Sequence, residues 1–346
     1  MKFLLLSILA YCLSPMSVTA QGITTRLKFE KAYQKIKGMI DRNEKHSFKK
    51  AVFISENVFL DNMIEETEFE NQITILTTLV KGWQIANPIH GYRYSDSINF
   101  NKNLAIYKLL KDTVKIMLPD GQILETEPYG YDFNDFFGHW DWRNMFVTKL
   151  LATHAGNCHS LPYLYKILSD ELDATCWLGF APNHIYIKNR CKKSGWYNTE
   201  LTSGSFPVDA WLTGSGYIPL EAIQNRIYMD TLSNQQAIAL CVLDLAKGYE
   251  FQTKNYYDGF IIKCCDLVLK YHPKNVQAML LKAETLKRIY DKQEKVSEAA
   301  AATFGTMEGL YTRLFELGYR EMPESMYREW LQSVVTEKEK YTNKRL

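Results

Sequence analysis

The sequence predicts an α+β fold, with helices at both ends of the chain and a small antiparallel sheet between them. Two patterns carry this reading. Apolar residues recur at helical spacing through residues 24–85 (Phe29, Tyr33, Ile36 and Ile40, then Ile73, Leu76, Val80 and Trp83), and the chain is again helical from about residue 233 to its end. Between these regions, short alternating runs bounded by turn-forming residues read as strands. A third observation concerns chemistry. A cysteine opens a predicted helix in Gly156-Asn157-Cys158-His159-Ser160, a histidine opens a strand in Pro182-Asn183-His184-Ile185-Tyr186, and a carboxylate ends Gly195-Trp196-Tyr197-Asn198-Thr199-Glu200.

At the N-terminus, Lys2 precedes an apolar run from Phe3 to Leu13, too short to span a bilayer. Small residues at Ser17-Val18-Thr19-Ala20 mark a cleavage point. Residues 1–20 therefore read as a signal peptide, and the mature protein as exported, periplasmic or secreted. Anchoring as a lipoprotein through Cys12 ranks second, because the bulky Tyr11 stands where such signals carry a small residue. No other apolar run is long enough to cross a membrane, so no span is expected after cleavage. Residues 21–103 form an N-terminal helical region with a packing role, punctuated by Asn87-Pro88.

Residues 104–232 change character. Val114–Leu118 and Gln122–Thr126 flank Pro119-Asp120-Gly121 and predict a β-hairpin. Residues 129–144 are crowded with aromatics and read either as a cleft wall or as a loop over the core. A helix through Leu151 breaks at Ala155-Gly156-Asn157 and restarts from Cys158 to Leu172, with Pro162 tolerated near its start. Strands are expected at 174–181, 184–190 and 196–202, before a loop-rich exit. In the helical region 233–346, Gly248-Tyr249, Tyr257-Asp258 and Pro273-Lys274-Asn275 have the layout of one tetratricopeptide unit, and Val276–Tyr290 begins a degenerate second. A solenoid needs more repeats, so these helices are expected to pack on the rest of the protein. The charged end, Lys338–Leu346, is expected to fray.

Charge excludes some partners. The 346 residues carry 41 Lys+Arg against 39 Asp+Glu, which gives no basic surface for nucleic acid. A hydrophobic fraction of 46% indicates a globular chain. Of seven cysteines, Cys12 falls in the leader. The remaining six do not form a dense disulfide framework; Cys176 and Cys191, near opposite ends of a predicted hairpin, are the one plausible pair, with free thiols expected. No Cys-x-x-Cys pair or histidine cluster suggests a metal, and nothing points to a cofactor.

The ordered cysteine, histidine and carboxylate have a chemical logic. A helix start favours the thiolate of Cys158, His184 can act as base and then acid, and Glu200 can hold the far nitrogen of the imidazole. Asp209 is a substitute orienter at low odds, and His154 and His159 read as helix-start residues. The set Gly156-Asn157-Cys158, Asn183-His184-Ile185-Tyr186 and Trp196-Tyr197-Asn198-Thr199-Glu200 resembles the core of the transglutaminase-like superfamily, with Glu200 in place of an aspartate. The resemblance covers residues 140–212, and the helices at 233–290 resemble a subclass in which tetratricopeptide helices follow a short core.

It implies a papain-type site with catalytic Cys158, His184 and Glu200. Trp140, Trp142 and Asn183 are candidates for oxyanion stabilisation or for lining the cleft. It also implies a cysteine acyl-transfer enzyme with a peptide or protein substrate. Hydrolysis of an amide or peptide bond is favoured over crosslinking, because a cleft open to water favours the smaller nucleophile. The alternative is a non-catalytic scaffold that keeps the fold and binds a peptide or protein, with the C-terminal helices as a further partner surface.

Overall fold

The computed structural model describes residues 15–41, 47–117 and 121–343. The apolar leader Phe3–Leu13 lies outside them, as do Pro119 and Asp120 of the predicted hairpin turn. Four helices open the chain: α1 (Pro15–Ile40), α2 (Phe48–Phe59), α3 (Glu66–Ala86) and α4 (Ser97–Lys111). The predicted cleavage point Ser17–Ala20 lies within α1. A hairpin of β1 (Lys115–Met117) and β2 (Ile123–Glu125) follows, then β3 (Gly130–Tyr131), a 3-10 turn (Trp142–Met145), α5 (Val147–Thr153), β4 (Ala155–Gly156) and α6 (Ser160–Glu171). β5 (Trp177–Ala181), β6 (His184–Cys191) and β7 (Gly195–Thr199) make a three-stranded antiparallel sheet in that order. The remainder is helical: α7 (Asp209–Ser215), α8 (Leu220–Gln224), α9 (Asn234–Thr253), α10 (Phe260–Tyr271), α11 (Val276–Lys292), α12 (Glu298–Glu316), α13 (Glu324–Thr336) and α14 (Lys338–Tyr341). The architecture is thus α+β and rich in helix. Among the described residues no helix is long and apolar enough to cross a membrane.

One hydrophobic cluster runs through the predicted regions. It joins Ile36 of α1, Phe53 of α2, Ile73 of α3, Leu109 of α4, Leu164 of α6, Leu178 and Ile187 of the sheet, Leu245 of α9 and Val268 of α10. Helix α9 is apolar nearly all round and correspondingly buried from Ala237 to Leu243. It packs against α1, α2 and α10. A capping box fixes its start, with Ser233 and Gln236 each satisfying the other's backbone N–H. A second cluster binds α13, through Tyr327, Trp330, Leu331 and Val334, to Ala181 and Tyr186 of the sheet and Leu212 of α7.

The expected fraying of Lys338–Leu346 does not extend to residues 338–343. Tyr341 is buried and stacks on Trp211 at 3.7 Å between ring centroids, and Thr342 bridges to Pro207. One aromatic inside a charged run is enough to dock the segment. All six described cysteines are free, Cys176 and Cys191 included.

Two local devices position the segment that carries the nucleophile. Helix α5 has no side-chain cap of its own. The buried Glu56 of α2 supplies one from a distance, accepting the N–H of Val147 at 2.7 Å and of Thr148 at 2.8 Å. Burial pushes the Glu56 carboxyl up to about 7 despite these two donors. The second device is Gly156. A Cβ there would lie 2.4 Å from Ser160 Oγ and 2.8 Å from Leu150 Cδ1, both fully buried. The glycine two residues before Cys158 is therefore required by space. Gly156→Ala is expected to cost about 1–3 kcal/mol by overpacking. Urea unfolding would measure it; a midpoint equal to wild type would show that the site relaxes freely.

Candidate active site

The nucleophile loop differs from its sequence expectation. Helix α6 begins at Ser160, two residues later than predicted, and Cys158 sits in the turn before it. The reason is Asn157, whose side-chain oxygen accepts the N–H of His159 at 2.9 Å and of Ser160 at 3.1 Å. Asn157 is itself fixed by donation to the Phe136 carbonyl at 2.9 Å. Strand β3 pairs in parallel with β4, setting Tyr131 opposite Gly156 and so beside the nucleophile turn.

The sheet places the other two residues. β5 and β6 pair Ala181 with His184, and Asn183 in the connecting turn takes a left-handed φ of 55°, which asparagine tolerates. β6 and β7 pair Ile187 with Thr199. Continuing that register puts Glu200 on the same face as Tyr186 and His184, since alternate residues share a face. Glu200 lies just past β7, in an isolated bridge with Ser205, where the sequence predicts a strand to 202.

These placements bring Cys158, His184 and Glu200 together. His184 Nε2 lies 2.6 Å from Glu200 Oε2, and Glu200 Oε1 accepts the Thr202 N–H at 2.8 Å. On the other side of the ring, His184 Nδ1 lies 3.1 Å from the hydroxyl of Tyr327 in α13. That hydroxyl lies 3.3 Å from Cys158 Sγ, so it links the sulfur and the imidazole. Trp330, one turn along α13, meets the His184 ring edge-on at 4.9 Å.

Electrostatics favour an ion pair. Burial alone opposes the charged form of each group. At Cys158, the hydrogen bond and charge of His184, then donation from Tyr327, outweigh burial and lower the thiol pKa. At His184, the Glu200 carboxylate and the Cys158 sulfur outweigh burial and push the imidazole up to about 10. At Glu200, the His184 charge and the Thr202 N–H hold the carboxyl below its usual value against burial. Thiolate, imidazolium and carboxylate then form one chain.

Cys158 opens onto a cleft of about 600 Å³. It is lined by Phe136, Phe137, Trp142 and Met145 and by Leu240, Leu243, Asp244, Lys247 and Phe251 of α9, with Trp142 stacked on Phe251 at 6.0 Å. Among the candidate cleft residues, Trp142 is in this lining. Asn183 lines the cleft too; its side-chain amide nitrogen donates one hydrogen bond to the Met322 carbonyl at 2.9 Å, and its backbone carbonyl faces Cys158 Sγ at 3.7 Å. Trp140 does not line the cleft: it is 79% exposed, because Asp135 accepts its backbone N–H and turns the loop outward. Asp209 accepts from Asn198 at 2.7 Å and His154 stacks on Tyr129, both apart from the site.

Four groups around the site escape the sequence pattern. Tyr327 sits far along the chain in an apolar helical stripe that reads as core. The Tyr131 hydroxyl is buried against Tyr327 and Cys158, with good hydrogen-bond geometry to neither. His159 has acceptors at both nitrogens, the Met145 carbonyl and the Asp244 carboxylate, each at 2.9 Å. Burial disfavours its charge, Asp244 prevails, and its pKa is raised. The one legible signal was Asp244 itself, a lone carboxylate in the apolar run Leu243-Asp244-Leu245. Searches against family models, curated proteins and solved structures return no match to this chain.

Proposed function

We propose that this protein is an exported cysteine acyl-transfer enzyme of transglutaminase-like type that hydrolyses an amide or peptide bond. The observation that carries the reading is the continuous chain Cys158, Tyr327, His184 and Glu200 at the wall of a cleft. The thiolate attacks the substrate carbonyl, and His184 supplies a proton to the departing amine. Glu200 fixes the imidazole and stabilises its charge. Of the candidates for oxyanion stabilisation, Trp142 and Asn183 line the cleft beside Cys158. Water then attacks the thioester and regenerates the thiolate. Helix α9, in the segment that resembles a tetratricopeptide unit, lends side chains to the cleft lining, which suits a peptide substrate.

Incubation with a mixed peptide and amide library, read by mass spectrometry with and without an added primary amine, tests this. Wild type is expected to release acid products and to incorporate little amine, and Cys158→Ala is expected to do neither. Product formation that survives Cys158→Ala would reject the proposal. The binding-scaffold reading has one observation in its favour, the near-complete burial of His184 and Tyr327. It gains if no product forms while Cys158→Ala still captures peptides from the library.

A further inference from the structure

Helix α13 is separated from Cys158 by most of the C-terminal region, yet it contributes a hydroxyl within hydrogen-bond reach of both Cys158 and His184. Tyr327 is fully buried. Its ring is clamped between Phe137, stacked at 5.1 Å, and Trp330, at 5.6 Å, with Phe136 at 5.6 Å. The loop before α13 is tied to the turn before β6 by the Asn183 amide contact with Met322, and α13 itself meets His184 at the start of β6 through the ring of Trp330. This packing fixes the hydroxyl where one oxygen reaches sulfur at 3.3 Å and imidazole nitrogen at 3.1 Å.

A phenol has one proton and accepts others. With the site as an ion pair, the Nδ1–H of His184 donates to the Tyr327 oxygen, and the Tyr327 O–H donates to the thiolate. In the resting site the phenol is protonated, since burial and the adjacent thiolate push its pKa well above the ordinary value.

We propose that Tyr327 is a catalytic residue whose hydroxyl passes the proton between Cys158 and His184, so that α13 completes the active site. The inference rests on the acyl-transfer reading above. In acylation the S–C bond forms and the C–N bond breaks. The amine leaves with the Tyr327 proton, and His184 Nδ1 returns one to the phenol oxygen and becomes neutral. In deacylation water adds to the thioester carbon and gives a proton to Tyr327 as Tyr327 gives its own to His184. The C–S bond then breaks to restore the thiolate. The net change is amide plus water to acid plus amine.

Iodoacetamide labelling of Cys158 against pH, localised by mass spectrometry, tests the link. The other titratable groups facing this pair are Glu200 beyond β7, Tyr131 of β3, and His159 with Asp244 behind it; His139 and Glu324 stand at the mouth of the cleft. All are unchanged in Tyr327→Phe. That variant is expected to move the labelling midpoint to higher pH and to slow labelling at pH 6 by about three- to tenfold, the loss of one hydrogen bond to a charged group partly offset by a more nucleophilic thiolate. In a His184→Ala background most of this effect is expected to vanish, because coupled groups are not additive. Tyr327→Leu, which also lacks the hydroxyl, is expected to give the same midpoint whatever it does to thermal stability.

A Tyr327→Phe profile that coincides with wild type, or an undiminished effect in the His184→Ala background, overturns the assignment. A wild-type profile centred near the free-thiol value of about 8.5 fails the enzymatic reading itself, so the two failures are separate.

Discussion

Replacing His184 with alanine is expected to shift Cys158 alkylation toward alkaline pH and to slow it at least about tenfold at pH 6. Two effects compete. Below both midpoints, each pKa unit between the two thiols changes the thiolate population tenfold. A less acidic thiol makes a better nucleophile, which gives back about threefold per unit. The population effect wins, by roughly threefold per unit, so a change of two or more units gives the tenfold figure. A change that large is expected because His184 is the main influence that lowers the Cys158 pKa. Without it, burial dominates and the thiol moves above its free value. The five other described cysteines are buried, so labelling of the folded protein reads Cys158. Equal profiles for wild type and His184→Ala would leave Cys158 a structural thiol.

Glu200→Ala is expected to be the most destabilising single change in the site, at about 3–5 kcal/mol near neutral pH. The side chains of His184 and Glu200 are 0% and 2% exposed, so solvent screens the pair little. Removing the carboxylate strands a buried imidazolium and the Thr202 N–H. Glu200→Gln keeps an acceptor for Thr202 and is expected to cost less.

The pair also fixes a pH signature. The Glu200 pKa is depressed in the fold, so its contribution is present above the ordinary carboxylate value and is lost as pH falls below it. The His184 pKa is raised to about 10, so its contribution is complete below the unfolded value of about 6.5 and is lost as pH climbs from there toward 10. Cys158 works in the opposite sense: its thiol pKa is lowered in the fold, so its contribution grows as pH rises to the free-thiol value of about 8.5 and offsets the His184 loss up to there. Wild-type stability is therefore expected to be level from about 6.5 to 8.5 and to decline on both sides, and Glu200→Gln to show a shallower decline on each side. Urea midpoints across the pH range would measure this; parallel curves would show that the pair does not titrate as an ion pair.

How much of this was legible in the sequence depended on whether the cause was local. The strand pattern around Pro182-Asn183 located β5 and β6, because side-chain alternation and a turn residue are written in adjacent positions. The order of Cys158, His184 and Glu200 located the three groups that meet. Tyr327 could not be read, because its partner His184 lies 143 residues away and its neighbours Trp330, Leu331 and Val334 make an ordinary apolar stripe. The pairing of Tyr131 with Gly156 was hidden for a related reason, since two-residue strands leave no periodicity to detect. Trp140 misled because an aromatic residue is as easily exposed by a loop as buried by it. The C-terminal helices were expected to pack on the rest of the chain, but which helix would do so was not legible; it is chiefly α9, against α1 and α2.

The position of Tyr327 also sets a timetable. A ribosome adds about 5–20 residues per second, so the 143 residues between His184 and Tyr327 take roughly 7–30 seconds to make. For most of that interval, once Glu200 is made 16 residues after His184, the nascent chain carries the thiol, the imidazole and the carboxylate, but not the helix that covers them. The growing polypeptide passes through a stage at which its most reactive sulfur is exposed to oxidants and to holding chaperones, and it leaves that stage only when α13 docks.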